Sequence, residues 1–253
     1  MKNDVIPIVE VFGPSIQGEG PNAGARCIFV RVKGCTYACK WCDSKFTWKN
    51  HDAEVKEYTP SELIDYLVRV CNETRCKRVV LTGGNPCMYD FKKVIFHLHS
   101  YNINVDVETQ GDLLPDWLYD IDTVVFSPKG PSSGMPDTFD NITSYIKSLS
   151  VETPYYQNIA IKVPIFSGDD IEFARKYSKF VEENTKNYGL IHDIKMYLSV
   201  GNSDVNTTES IRDRVLDDYE ELLDLINQSP EDFDHVFILP QIHTLVWGNK
   251  QGV

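Results

Sequence analysis

The sequence predicts an α/β fold on a mostly parallel sheet, organised as an incomplete (βα) barrel. Three observations lead there. Short β-rich runs alternate with amphipathic helical stretches along the 253 residues. About seven such runs are present, near the eight of a closed barrel, but a long loop over 34–59 takes up chain that a full barrel needs. The residues richest in chemistry fall at the carboxyl ends of the runs, where sheets of this kind bind ligands.

Each element has a local reason. CIFVRVK (27–33) reads as a buried strand, and the loop 34–59 follows it. PSELIDYLVRVC (60–71) has apolar residues at 63, 64, 67, 68 and 71, which is helical spacing. Thr59 suits its N-cap, Pro60 the first turn and Glu62 a capping box. RVVLTGG (78–84) is a strand running into glycines, and 90–100 a helix. Strands follow at 103–111 and 123–130, then a loop at 130–136 and a helix over 139–149. Next come a strand within 155–166, a helix over 170–184, a strand at 194–201, a long helix over 208–228 and a last strand at 234–243. No repeat or interdomain linker interrupts them, so residues 1–253 are expected to form one domain closed by segment 239–253.

Composition narrows the function. Hydrophobic residues are 42% and charged residues 25%, an ordinary globular balance. Asp and Glu exceed Lys and Arg by 37 to 25, which argues against direct nucleic-acid binding, where clustered positive charge is needed. The start, MKNDVIPIVEVFG, has no apolar signal core, and no run reaches the ~18 residues of a membrane span. A cytoplasmic location with reduced thiols is expected, so the seven cysteines point to metal or redox chemistry rather than disulfides.

Three of the seven, Cys35, Cys39 and Cys42, are spaced Cys-x3-Cys-x2-Cys directly after the first predicted strand. Thiolates this close in sequence can grip one metal centre. Structural zinc wants a fourth protein ligand, and no second paired motif follows. An iron–sulfur cluster with one open iron is the natural occupant; zinc, or thiols without metal, are the alternatives. Cys27, Cys71, Cys76 and Cys87 read as small buried hydrophobes.

The spacing resembles the signature of radical S-adenosylmethionine (SAM) enzymes. The resemblance narrows further with Phe12-Gly13-Pro14-Ser15-Ile16-Gln17-Gly18-Glu19-Gly20, Phe29-Val30-Arg31 and Cys42-Asp43-Ser44. Thr82-Gly83-Gly84, Glu108-Thr109-Gln110-Gly111, Ser127-Pro128-Lys129 and Gln241-Ile242-His243 add to it. Together they are similar to the 7-carboxy-7-deazaguanine synthase family of queuosine (tRNA modification) biosynthesis. The resemblance implies a radical SAM barrel with modified and shortened helices, carrying a [4Fe–4S] cluster, SAM and Mg²⁺. It implies a lyase that converts 6-carboxy-5,6,7,8-tetrahydropterin to 7-carboxy-7-deazaguanine. An adenosyl radical abstracts hydrogen, the ring contracts, ammonia leaves and SAM is regenerated. A homodimer is also implied.

By the same resemblance, Cys35, Cys39 and Cys42 hold the cluster and Ser44 the Mg²⁺. Ile16, Gln17, Gly18, Arg31, Thr82, Gln241, His243 and Val253 meet the substrate. Trp41, Cys42, Asp43, Gly84, Glu108, Thr109, Ser127, Pro128, Lys129 and Ser199 meet the cofactor. No catalytic side chain is expected beyond those that position cofactor. Blander readings stand beside these. Gln17-Gly18 is also a turn, and His243 a structural histidine. Arg31, set between Val30 and Val32, needs an anion, either an internal carboxylate or the substrate's. Glu108 and Lys129 are also a possible ion pair across strand ends. Where many superfamily members have glutamate after the glycines, this chain has Asn85.

Residues 31–50 carry Arg31, Lys33, Lys40, Lys45 and Lys49 against Asp43 alone. In an acidic chain this suggests a docking patch for an acidic electron donor such as flavodoxin. The rival functions are a glycyl-radical-activating enzyme, with the same cysteine spacing, and a non-catalytic zinc or iron–sulfur binding module.

Overall fold

Strand alternation governs what the fold offers its ligands. The structure is a computed structural model that describes residues 5–49, 54–149, 157–187, 194–202, 211–250 and 252–253. The strands are β1 (Ile6–Ile16), β2 (Arg26–Val32), β3 (Lys56–Tyr58), β4 (Arg78–Gly83), β5 (Asn104–Thr109), β6 (Thr123–Phe126), β7 (Asn158–Ile165), β8 (Ile194–Val200) and β9 (Val236–Leu239). The helices are α1 (Pro60–Thr74), α2 (Lys92–Ser100), α3 (Phe139–Ser148), α4 (Gly168–Asn187), α5 (Ile211–Asn227) and α6 (Ile242–Trp247).

All nine strands form one sheet in the order β3-β1-β2-β4-β5-β6-β7-β8-β9. From β2 onward the pairs are parallel; β1 pairs antiparallel with both β2 and β3. The sheet has two ends and does not close. The expected α/β, mostly parallel, incomplete barrel is therefore present. Its seven predicted strands are the seven parallel ones.

The departures are local. β1 and β3 add two strands where none was read, and β3 lies inside the predicted loop 34–59. The last strand stops at Leu239; 240–243 is not strand, and α6 begins at Ile242. The β5–β6 crossover is a single 3₁₀ segment, Asp116–Asp120, in place of a full helix. Residues 155–156 of one predicted strand and 208–210 of one predicted helix lie outside the described residues.

α1 begins as its sequence requires. The Thr59 hydroxyl accepts from the Glu62 amide (3.3 Å), and the Glu62 carboxylate accepts from the Thr59 amide (2.8 Å), with Pro60 in the first turn.

Period-2 alternation then sorts the sheet into two faces. Ile28, Val30, Val32, Val79, Leu81, Val105, Val107, Val124, Phe126, Ile159, Ile161 and Val163 join the helices in one large core. The intervening residues point to the other face. Small apolar clusters cover part of it: Cys27, Phe29 and Val80, and Val125, Ala160 and Tyr197. Among the other positions on that face, Arg31, Thr82, Glu108, Ser127 and Lys162 line one cavity. Cys71, Cys76 and Cys87 lie in the core as expected of small hydrophobes.

Candidate functional site

The cavity holds about 290 Å³, near the lower end of small-molecule pockets at roughly 300 Å³. Its wall is drawn from β1, the loop after β2, the ends of β4 to β8 and the C-terminal segment. The structure brings Cys35, Cys39, Trp41, Cys42, Asp43 and Ser44 to it. Ile16, Gln17, Arg31, Thr82, Gly84, Glu108, Thr109, Ser127, Lys129, Gln241, His243 and Val253 join them. Gly18, Pro128 and Ser199 do not line it. Gly18 backs the wall: a Cβ there would lie 2.0 Å from His243 Nδ1, so only glycine lets α6 approach. Pro128 is buried behind Ser127 and Lys129. Ser199 is buried with its hydroxyl unpartnered.

All seven cysteines are free of disulfides. Among the described residues, no three His, Cys, Asp or Glu side chains converge as one metal ion requires. Cys35, Cys39 and Cys42 instead line the wall as separate donors. N–H groups point at two of their sulfurs. The Tyr37 amide donates to Cys35 Sγ (3.4 Å) and the Trp48 indole to Cys42 Sγ (3.4 Å). Burial pushes all three thiols up, Cys39 to about 11, while the Lys129 ammonium pulls each one down.

Loop 130–136 braces the cysteine loop. The Lys40 amide donates to the Ser133 carbonyl (3.1 Å), Trp41 Nε1 to Ser132 Oγ (2.8 Å) and Tyr37 Oη to the Pro136 carbonyl (3.1 Å). On its other side the Asn85 amide donates to the Gly34 carbonyl (2.9 Å). A Cβ on Gly84 would stand 1.6 Å from that same oxygen, so the close approach Gly84 permits is to the cysteine loop itself. Asn85 is fully buried and does not line the cavity. Its amide accepts from Thr109 Oγ1 (3.0 Å) and donates to Asp112 (2.9 Å).

Arg31 meets an internal carboxylate: Nε donates to Glu10 Oε1 (2.8 Å) and Nη1 to Ser44 Oγ (3.0 Å). A guanidinium has five donors, so these bonds leave capacity on its cavity side. Ser44 Oγ donates to Asp43 Oδ1 (2.9 Å). Glu108 accepts from Gln17 Nε2 (2.8 Å) and Thr82 Oγ1 (2.6 Å). The alternative ion pair of Glu108 with Lys129 is not formed. Lys129 Nζ donates to Ser127 Oγ (2.9 Å) and lies 5.6 Å from the Trp41 ring centre. Burial and the neighbouring Lys162 both push its ammonium down.

With this geometry in view, similarity to known proteins is informative. Residues 29–126 match the radical SAM superfamily model. A 7-carboxy-7-deazaguanine synthase of Bacillus subtilis (strain 168) is 38% identical over 98% of both chains. One from Bacillus cereus is 36% identical over 98% of this chain and 99% of its own. The chain belongs to the 7-carboxy-7-deazaguanine synthase family. A crystal structure of QueE from Escherichia coli shares the fold, with TM-score 0.64, 20% identity and coverage of 94% of this chain and 95% of that one.

The chain is thus a radical SAM enzyme of the 7-carboxy-7-deazaguanine synthase family, in the queuosine pathway. That superfamily uses a [4Fe–4S] cluster and SAM. Three unpaired thiols on one wall, N–H donors on two sulfurs and a nearby ammonium make a donor set that fits an anionic cluster.

Several residues that complete the cavity were not among the expected site residues. Lys162 donates to Glu19 Oε2 (2.8 Å), and Gln241 Nε2 to Glu19 Oε1 (3.1 Å). Burial alone would raise the Glu19 carboxyl, but Lys162 and His243 hold it at about 2. Phe166 stacks on Trp41 at 4.3 Å. Lys162 carried a readable signal, because it sits between Ile161 and Val163 as Arg31 does between Val30 and Val32. Gln110 stood inside the Glu108–Gly111 motif but was given no role there, and Trp48 carried no signal.

Proposed function

We propose that this chain converts 6-carboxy-5,6,7,8-tetrahydropterin to 7-carboxy-7-deazaguanine with release of ammonia. The observation that carries this reading is one cavity shared by the three cysteines and by the polar set Gln17, Arg31, Thr82 and Glu108. Cys35, Cys39 and Cys42 would hold three irons of the cluster, leaving the fourth for SAM. Bound together, cluster and SAM supply a 5′-deoxyadenosyl radical.

The chain's own groups bind and orient. Arg31, braced by Glu10, offers its cavity-side donors to the substrate carboxylate. Glu108 keeps Gln17 and Thr82 fixed, so that polar groups of set orientation meet the pterin edge. Lys129 has no carboxylate partner among the described residues, and its charge suits the SAM carboxylate, beside Ser127 and Thr109. Ser44 Oγ, oriented by its bond to Asp43, offers an oxygen to Mg²⁺, a hard ion that takes few protein ligands and keeps its waters. Segment 239–253 closes the cavity through Gln241, His243 and Val253, and the whole chain works as one domain in a homodimer.

Lys40 and Lys49 are exposed beside the cysteine loop, which suits an acidic one-electron donor of the flavodoxin kind. The pterin, SAM, Mg²⁺ and a reductant are to be incubated anaerobically with the reconstituted protein. The expected result is deazaguanine product and ammonia with SAM conserved. SAM consumed once per turnover, or no product from a protein with a full cluster, overturns the reading. Light scattering on the same sample reads the dimer.

A further inference from the structure

We propose that Gln110 and Trp48 tune the reduction potential of the cluster through side-chain N–H···S bonds to Cys35 and Cys42. This rests on the cavity being the cluster site. Trp48 Nε1 lies 3.4 Å from Cys42 Sγ, and Gln110 Nε2 lies 3.7 Å from Cys35 Sγ. Both residues line the cavity.

Neither donor is placed by chance of rotamer. Gln110 is 4% exposed. Its backbone carbonyl accepts from Thr138 Oγ1 (2.7 Å), which anchors the residue from below. Its amide nitrogen also donates to Thr36 Oγ1 (2.7 Å), a hydroxyl inside the cysteine loop. The amide has two N–H donors, so Thr36 takes one and aims the other at Cys35. Thr36 in turn accepts from Asn85 Nδ2 (3.5 Å), which ties the arrangement to the buried end of β4. Trp48 has one N–H donor and no acceptor, and it closes the short 3₁₀ turn Lys45–Thr47 through its own amide, 3.2 Å from the Lys45 carbonyl.

The physical effect has a definite sign. Reduction adds one electron, supplied by a one-electron donor, and forms or breaks no bond. The added negative charge spreads over the sulfurs. An N–H dipole aimed at a ligand sulfur favours that state, so it raises the potential. Removing the donor makes the cluster harder to reduce.

The test is potentiometric titration of the reconstituted holoprotein, without substrate, read by the electron paramagnetic resonance of the reduced cluster. Trp48→Phe keeps an aromatic ring and loses the N–H. Gln110→Met keeps the length and loses both donors. Each is expected to shift the potential to more negative values, and the double variant to shift it by about the sum, because the two bonds reach different sulfurs. A packing role alone would lower cluster content without moving the potential of what remains. An unchanged or more positive potential in both variants, at wild-type iron content, overturns the inference. So does Trp48→Phe that fails to retain its cluster, since tuning does not dismantle a site. Wild-type protein that binds no four-iron cluster refutes the underlying site reading instead, and iron and sulfide analysis of it separates the two failures.

Discussion

Lys162 on β7 and Glu19 in the β1–β2 connection meet in a 2.8 Å ion pair across 143 residues of sequence. The pair is largely buried, at 14% and 13% side-chain exposure, and Gln241 ties it to the start of α6. Three distant parts of the chain are fixed beside the cavity by one carboxylate.

Removing one partner leaves the other charged and buried. Lys162→Met is expected to cost about 3–5 kcal/mol in urea unfolding. The double variant with Glu19→Gln recovers most of that loss. No recovery in the double variant means that Lys162 stabilises by packing and not by charge.

The same pair sets a response to acid. Glu19 is held at about 2 in the folded chain, against an ordinary 4.5. Its contribution is complete above about 4.5 and is lost as the pH falls toward 2. Glu19→Gln should flatten the fall in melting temperature across that window. An unaltered acid slope contradicts this.

At the opposite end of the sheet, His99 Nε2 lies 2.9 Å from Asp122 Oδ2. The hydrogen bond and charge of Asp122 hold the imidazolium above its usual range. The folded value is raised, so the stabilisation is complete below about 6.5 and is lost as the pH climbs through the folded value. Both groups are 37% exposed, so solvent screening keeps it under about 1 kcal/mol. Asp122→Asn should return the His99 NMR titration to its ordinary range.

Gly84→Ala forces a methyl onto the Gly34 carbonyl, which only backbone movement can relieve. A loss of about 3 kcal/mol is expected. Because Gly34 opens the cysteine loop, iron retention after reconstitution should fall with it. Full stability and full iron content would show that the loop accommodates the methyl.

Lys40 is exposed, whereas Lys45 donates to the Lys40 carbonyl (2.6 Å) and has a structural task. Lys40→Glu is therefore the cleaner probe of donor docking. Its reduction by an acidic flavoprotein should slow severalfold at low salt and approach wild type at high salt. A rate that ignores both substitution and salt removes the docking patch.

Much of this was legible in the chain. Thr59, Pro60 and Glu62 announced α1 because capping is local chemistry. Arg31 announced a polar face because a cation amid valines has to emerge on one side of a strand. The cysteine spacing announced its loop. β1 was hidden because Gly13-Pro14 breaks its pattern and its pairing with β2 shifts register at Ile8/Glu10 and Phe12/Ser15. β3, three residues long, has no periodicity to read. The short apolar run around Pro240 did not distinguish strand from helix, and α6 took its far end. The partners of Glu108 lie 91 and 26 residues away, a relation that only the folded sheet creates.

The two rims of the open sheet are short strands, three residues in β3 and four in β9. A rim that brief offers few unpaired amides to a foreign strand. At the β9 end the protein thus keeps an unclosed wall without presenting a long template on which copies could zip into aggregates.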